Sequence, residues 1–155
     1  MINQSETWIA KSRIKNKAIV TGKFGESYVS YLLSEKGIEV TKANTVGFDL
    51  FAIDSIGEIF PKREIVGISV KTRISKKTGS YKPTIAVNPE KIARSAKRLN
   101  IDPWVAIVVG SKDEGPTAFI FPIEDLSKLR GNAKREDVVA VSELYDNPTG
   151  RVVRL

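Results

Sequence analysis

The chain of 155 residues contains no cysteine and no histidine. Without cysteine, disulfide bonds, thiolate catalysis and zinc–sulfur sites are excluded. Without histidine, the side chain that most often serves as a general base and as a transition-metal ligand is missing. Any bound metal must therefore be held by oxygen atoms, which indicates a hard cation such as Mg²⁺ or Mn²⁺.

Long apolar runs are absent as well, and acidic residues are outnumbered. No stretch approaches the roughly 18 apolar residues of a membrane span, and residues 1–17 lack the apolar segment of a secretion signal, so we expect a cytoplasmic protein. The chain has 25 Lys and Arg against 18 Asp and Glu, a net charge of +7. This excess favours a polyanionic partner, with nucleic acid before a membrane surface, although it can also serve solubility alone.

The length and the hydrophobic content of 41% predict a single domain over residues 1–155. Residues 1–17 are expected to form a flexible, solvated basic arm, and contact between this arm and phosphates is the alternative. Apolar residues at helical spacing then predict a helix over 19–36, which ends at Gly37 and carries Glu26 at the edge of its apolar face.

Most of the remaining sequence has strand patterns. A second helix is predicted over 89–99, capped by Asn88, with Ile92, Ala96 and Leu99 facing inward, and a short helix over 123–129. The order of elements predicts an α/β fold with a central mixed β-sheet flanked by helices. The predicted strands are 38–42, 48–54, 64–72, 84–87, 104–109, 118–121, 138–141 and 152–155.

A few polar side chains interrupt the apolar strands. Asp49 lies near the start of the second strand, two residues after Gly47, and Lys71 closes the apolar run of the third. Because side chains alternate along a strand, Ser69 and Lys71 share one face. If the two strands pair as a hairpin about a turn at 55–57, Asp49 can lie beside both of them.

This cluster has two interpretations. A salt bridge between Asp49 and Lys71 would be structural and worth about 1 kcal/mol or less. Alternatively, Asp49 binds a divalent cation with Glu26 and the backbone carbonyl of Val70, while Lys71 orients an attacking water and offsets charge on a phosphate. The helix that carries Glu26 ahead of the strands, and the glycine before Asp49, favour this second interpretation, which is that of a metal-dependent nuclease.

The same residues belong to short motifs within 22–109: Gly22-Lys23-Phe24-Gly25-Glu26, Gly37-Ile38-Glu39-Val40, Gly47-Phe48-Asp49-Leu50 and Ile68-Ser69-Val70-Lys71. This series resembles the PD-(D/E)xK nuclease superfamily, which is restriction-endonuclease-like, and within it the archaeal Holliday-junction resolvases. The resemblance implies a mixed sheet flanked by helices and Mg²⁺-dependent cleavage of duplex or branched DNA. It also implies a homodimer in many members.

By this resemblance, Glu26 and Asp49 correspond to metal-binding acids and Lys71 to the motif lysine. Ser69 departs from the pattern, because its position usually holds Glu, Asp or Gln, and serine is a weak neutral ligand. Either another acid supplies the missing oxygen, or the chemistry is weakened or lost. The acids that could supply it are Glu26, Glu58 and Glu64.

Basic residues around the cluster are candidates for contacts with nucleic-acid phosphates. A basic loop over 73–82 follows Lys71 directly, and the outer face of the helix over 89–99 is also cationic. A solvated loop and an ordinary amphipathic helix are the alternative explanation. The candidates are Lys23, Arg73, Lys76, Lys77, Lys82, Arg94, Lys97 and Arg98.

Three functions therefore remain open. The first is a Mg²⁺- or Mn²⁺-dependent endonuclease acting on duplex or branched DNA. The second is a nuclease fold that only binds nucleic acid because Ser69 impairs catalysis. The third is a basic scaffold protein in which the pair of Asp49 and Lys71 is structural.

Overall fold

A mixed sheet of six strands forms the centre of the structure, a computed structural model that describes residues 4–75 and 84–155. The strand order is β1-β2-β3-β5-β6-β8, and only β3 and β5 run parallel. The strands are β1 (Glu39–Thr45), β2 (Phe48–Ile53), β3 (Ile65–Ser75), β4 (Thr84–Ala86), β5 (Asp102–Ser111), β6 (Gly115–Pro122), β7 (Val138–Ala140) and β8 (Val153–Arg154).

Helices cover both faces of this sheet. They are α1 (Gln4–Glu35), α2 (Pro89–Leu99) and α3 (Val141–Asp146), with a 3₁₀ turn over Ile123–Lys128. Helix α1 packs Val29 and Leu33 on one face, and α2 packs Ile92 on the other. Strands β4 and β7 form a separate antiparallel pair on the α2 side. The predicted α/β fold with a mixed sheet flanked by helices is therefore confirmed, although the sequence did not predict this second small sheet.

Side chains alternate along each strand, so one set faces α1 and the other faces α2. In β3 the even-numbered residues Val66, Ile68 and Val70 are buried against the α1 side. In β5 the odd-numbered residues, such as Val105 and Ile107, are buried against the α2 side. Parallel pairing sets Ser69 opposite Val105 and Lys71 opposite Ile107, so both polar residues of β3 belong to the α2 face.

Helix α1 begins earlier than the sequence predicts, at Gln4 rather than near residue 19. Residues 4–17 of the expected basic arm are therefore helical, and the flexibility of the arm stays a prediction. No proline or glycine precedes Gly22 to end the helix. None of the helices in the described parts of the chain is long and apolar enough to cross a membrane.

Helix α2 has the predicted bounds and the predicted cap. The Asn88 side chain accepts a hydrogen bond from the Lys91 N–H at 3.1 Å. One predicted inward residue is wrong, because Leu99 is 37% exposed while Ser95 is buried in its place. Ser95 is buried because its hydroxyl donates a hydrogen bond to the carbonyl of Val46, in the turn between β1 and β2.

The β2–β3 connection is longer than the predicted hairpin turn, since it covers residues 54–64. The buried carboxylate of Asp54 organises it by accepting hydrogen bonds from four backbone N–H groups. Burial alone would raise the pKa of Asp54, but these donors lower it below its ordinary value. The donors belong to Ile56, Gly57, Ile59 and Phe60.

Candidate functional site

Asp49 lies where the ladder between β2 and β3 ends. The paired register of the two strands stops at Leu50 and Ile68, and the next available N–H of β3, that of Val70, donates to Asp49 Oδ2 at 2.7 Å. The Asp49 carboxylate thus accepts a hydrogen bond that a backbone carbonyl would accept in a continued ladder. This bond to β3 fixes its position. Because the N–H and C=O of one strand residue point to the same side, the Val70 carbonyl faces the same gap.

Ser69 and Lys71 meet Asp49 in one cleft. These residues line an open cleft of about 260 Å³ together with the first turn of α2, from which Asn88 and Lys91 contribute. Ser69 is buried, with 4% of its surface exposed, and Lys71 is half-buried. The structure therefore brings Asp49, Ser69 and Lys71 together at one cleft.

Glu26 approaches Asp49 from the other side. Both carboxylates line a second cleft of about 420 Å³, in which Lys23 and Lys42 are the cations. Burial raises the pKa of Glu26, and the negative charge of Asp49 raises it further, while Lys42 and Lys23 partly oppose the shift. Asp49 thus lies between the two clefts, with Glu26 on one side and Lys71 on the other.

Close contact at a glycine brings helix α1 against β3. A Cβ atom added to Gly25 would lie 1.7 Å from Thr72 Oγ1 and 2.9 Å from Thr72 Cβ, so only glycine fits there without a shift. The Thr72 hydroxyl is buried and has no hydrogen-bond partner within the described residues. Since Glu26 is the next residue, this contact sets how close its carboxylate comes to the sheet.

A second glycine positions Asp49. Gly47 has a φ of +97°, a conformation that L side chains rarely adopt, and an added Cβ would lie 2.5 Å from Ser95 Oγ. The hydroxyl of Ser95 also holds the Val46 carbonyl. The turn that leads into Asp49 is therefore hydrogen-bonded to α2 and packed against it at Gly47, two residues before Asp49.

The site offers oxygen ligands for a cation, but few acids. Within residues 4–75 and 84–155, no group of three or more Asp, Glu, His or Cys side chains is placed to hold a metal ion. Two of the acids considered as sources of the missing oxygen do not line either cleft. Glu64 precedes β3 at its opposite end, about 23 Å from Lys71 along the strand. Glu58 lies in the connection that enters the same end.

The predicted phosphate contacts fall into separate groups. Lys23 lines the Glu26 cleft, and Arg73 is exposed on β3, two residues beyond Lys71. Three candidates on α2, namely Arg94, Lys97 and Arg98, are exposed, and Arg98 Nη2 donates to Thr45 Oγ1 at 2.9 Å. The other three candidates, Lys76, Lys77 and Lys82, lie outside the described residues.

One cation was missed from the sequence. Lys42 lines the cleft with Glu26 and lowers its pKa, yet it lies in the middle of β1 among polar residues. Strand β1 pairs regularly with β2 up to Lys42 opposite Leu50 and then changes register before Thr45. Such an irregularity turns a strand locally, and simple alternation cannot reveal it.

Comparison with known proteins supports the fold. No protein-family model matches the chain, and no curated protein sequence matches it. The chain is similar in structure to Hjc from Archaeoglobus fulgidus, described as a Holliday junction resolvase from an archaeal hyperthermophile, with a TM-score of 0.50 and 15% identity. The similarity covers 78% of this chain and 89% of Hjc. At this identity it establishes a shared fold.

Proposed function

We propose that the protein is a metal-dependent endonuclease that hydrolyses phosphodiester bonds of duplex or branched DNA. The observation that carries the proposal is the placement of Asp49 between Glu26 and Lys71 at the end of a strand ladder. The fold shared with a Holliday junction resolvase supports a branched substrate. The excess of basic residues supports a polyanionic one.

The residues of the site fit a hard divalent cation such as Mg²⁺ or Mn²⁺. Two carboxylates, from Glu26 and Asp49, and the Val70 carbonyl form an all-oxygen donor set. Mg²⁺ commonly binds through one or two carboxylates while it keeps several waters and contacts substrate phosphates. Burial and, after it, repulsion from Asp49 raise the pKa of Glu26, and a cation between the two acids would relieve that repulsion.

Each residue then has a distinct role. When bound, the ion makes a water molecule more acidic and offsets negative charge on the phosphate. Asp49, held by the Val70 N–H, keeps a fixed position as ligand, and Glu26 completes the binding from α1. The Lys71 ammonium contacts the scissile phosphate or the attacking water and stabilises the charge that develops in the transition state.

Ser69 favours a second candidate function, in which the protein binds nucleic acid without cutting it. Ser69 is buried in the cleft at the motif position that is acidic or amide in the resembling nucleases. Its hydroxyl is a neutral ligand, and neither Glu58 nor Glu64 lines the cleft. A site with two carboxylates binds a divalent ion more weakly than a site with three.

Cleavage of labelled linear, nicked and four-way DNA in Mg²⁺ or Mn²⁺ tests the proposal. Asp49→Asn retains an oxygen that can accept from Val70 but removes the negative charge, and Lys71→Ala removes the ammonium. We expect each variant to lose at least about 10²-fold in rate, which is the usual effect of removing one charge-stabilising group.

Matched controls exchange the same residue types elsewhere. Asp146 and Lys62 are both exposed, and neither lines the two clefts, so Asp146→Asn and Lys62→Ala should cut at the parental rate. Parental cutting by both site variants would refute the assigned site. Salt-sensitive DNA binding without cutting by the parent would favour the second function, and absence of DNA binding would favour a scaffold.

A further inference from the structure

The N-terminal half of α1 extends beyond the body of the protein. Helix α1 begins at Gln4, but Gly25 is the first of its described residues to be buried. From Arg13 to Val20 every side chain is exposed, including Ile14 at 70% and Val20 at 66%. At about 1.5 Å per residue, the stretch from Gln4 to Gly22 is a rod about 27 Å long.

After Glu6, the charge on this rod has one sign. Between Glu6 and Glu26 the sequence has five basic residues and no acidic residue. Two pairs of cations stand four residues apart, Lys11 with Lys15 and Arg13 with Lys17, and such pairs repel by a few tenths of a kcal/mol each. A helical segment that is exposed from Arg13 to Val20 and repels itself gains stability when an anionic partner neutralises it.

The rod also continues the helix side that carries Glu26. Eleven residues are close to three helical turns, so Lys15 projects within about 20° of Glu26 and lies about 16 Å from it along the axis. Lys11 follows within about 60° and at about 22 Å. At 3.4 Å per base pair, these distances correspond to about five to seven base pairs from the carboxylate site.

We propose that residues 7–23 of α1, the basic arm, bind the phosphates of the same DNA that occupies the carboxylate site. This inference rests on the proposed nucleic-acid substrate, and it adds a second contact region about half a helical turn of duplex away from the point of cleavage. A membrane surface or a second copy of the chain fits less well. At 100° per residue, the five cations of the arm leave about a third of its circumference uncharged, and Ile14 is the one large apolar residue there, beside Ala10 and Ala18.

Salt dependence of DNA binding, measured in EDTA so that no cleavage is needed, tests the inference. The arm variant replaces four cations by glutamine, and the control variant replaces four exposed cations elsewhere. The log–log slope should fall by about 0.9 for each lost phosphate contact, or by up to about 3.6 in the arm variant. The arm changes are Lys11, Arg13, Lys15 and Lys17→Gln, and the control changes are Lys36, Lys62, Arg63 and Lys128→Gln.

If the slope of the arm variant is smaller by 3.6, the variant loses about 10²-fold less affinity than the parent between 50 and 200 mM salt. The control variant should keep a slope within about one unit of the parent. Helix content by circular dichroism should be unchanged or higher in the arm variant, because the change removes like-charge repulsion. A loss of affinity therefore cannot be attributed to unfolding of the arm.

Binding of the arm to a partner other than DNA would give different results. The inference is overturned if the arm and control variants show equal slopes. It is also overturned if the arm changes abolish only a dimer that the parent forms in sedimentation experiments, or weaken only binding to anionic vesicles. If the parent cuts DNA and the arm variant keeps the parental slope, the inference about the arm is wrong but the proposed endonuclease stands. If the slope of the arm variant is reduced but the parent does not cut, the arm binds DNA and the proposed hydrolysis is wrong.

Discussion

Replacement of Gly25 by alanine is the perturbation whose effect the structure specifies best. The added Cβ would lie 1.7 Å from Thr72 Oγ1, so α1 or the threonine must move by more than 1 Å to restore an ordinary contact. Overpacking of this kind costs typically about 1–3 kcal/mol. Because Glu26 is the next residue, its carboxylate moves away from Asp49 with the helix.

Gly22 supplies a matched control on the same helix. An added Cβ there meets nothing within 4 Å, so Gly22→Ala should gain about 1 kcal/mol from helix propensity alone. The same gain applies to Gly25→Ala, and the difference between the two variants isolates the overpacking. A difference of about 2 kcal/mol corresponds to about 4–8 °C in Tm for a chain of this size.

Two assays read this perturbation separately. Thermal unfolding reports the packing, and DNA cleavage in Mn²⁺ reports the position of Glu26, where a displacement of about 1 Å can cost about 10²-fold in rate. Adding Thr72→Ala to Gly25→Ala removes the nearest atom and should recover part of both losses. If Gly25→Ala unfolds at the same temperature as Gly22→Ala and cuts as fast as the parent, the contact does not position Glu26.

Three further changes have defined outcomes. Gly47→Ala forces an L side chain to adopt a φ of +97° with its Cβ 2.5 Å from Ser95 Oγ, and urea unfolding should show a loss of at least about 1 kcal/mol with reduced cutting. Asp54→Asn places an amide against four N–H donors and should cost about 1–3 kcal/mol. Because the folded-state pKa of Asp54 is lowered, the stability of the parent should fall as pH drops below about 4. Asp54→Asn should lack this part of the loss. Equal pH profiles of stability for the two proteins would contradict a stabilising role of the ionised Asp54. Ser69→Glu adds a third carboxylate to the site at a buried position, so its Tm should fall in EDTA and rise more with Mn²⁺ than the parental Tm does; a Tm insensitive to Mn²⁺ would contradict the metal site.

The sequence predicted the elements whose signals are local. Helix α2 has its predicted bounds because Asn88 caps it and Pro89 opens it, and both signals depend on neighbouring residues alone. The alternation in β3 placed Ser69 and Lys71 on one face, and antiparallel pairing with β2 brought Asp49 to them. The catalytic roles of these residues remain predictions.

Features set by tertiary contacts were not predictable in the same way. Ser95 replaces Leu99 on the buried side of α2 because a distant turn supplies its hydrogen-bond acceptor. Lys42 lines the Glu26 cleft at the last regular pair of β1, just before the strand changes register. The pairing of β4 with β7 joins segments more than 50 residues apart, and a three-residue strand carries no signal of its partner.

In the proposed function, Glu26 and Asp49 hold one divalent cation beside Lys71. Crystals soaked with Mn²⁺ and measured for anomalous scattering test it directly. A single strong peak is expected about 2.0–2.3 Å from a carboxylate oxygen of each acid. A soaked crystal without a peak between the two carboxylates, at an Mn²⁺ concentration that supports cutting in solution, would contradict it.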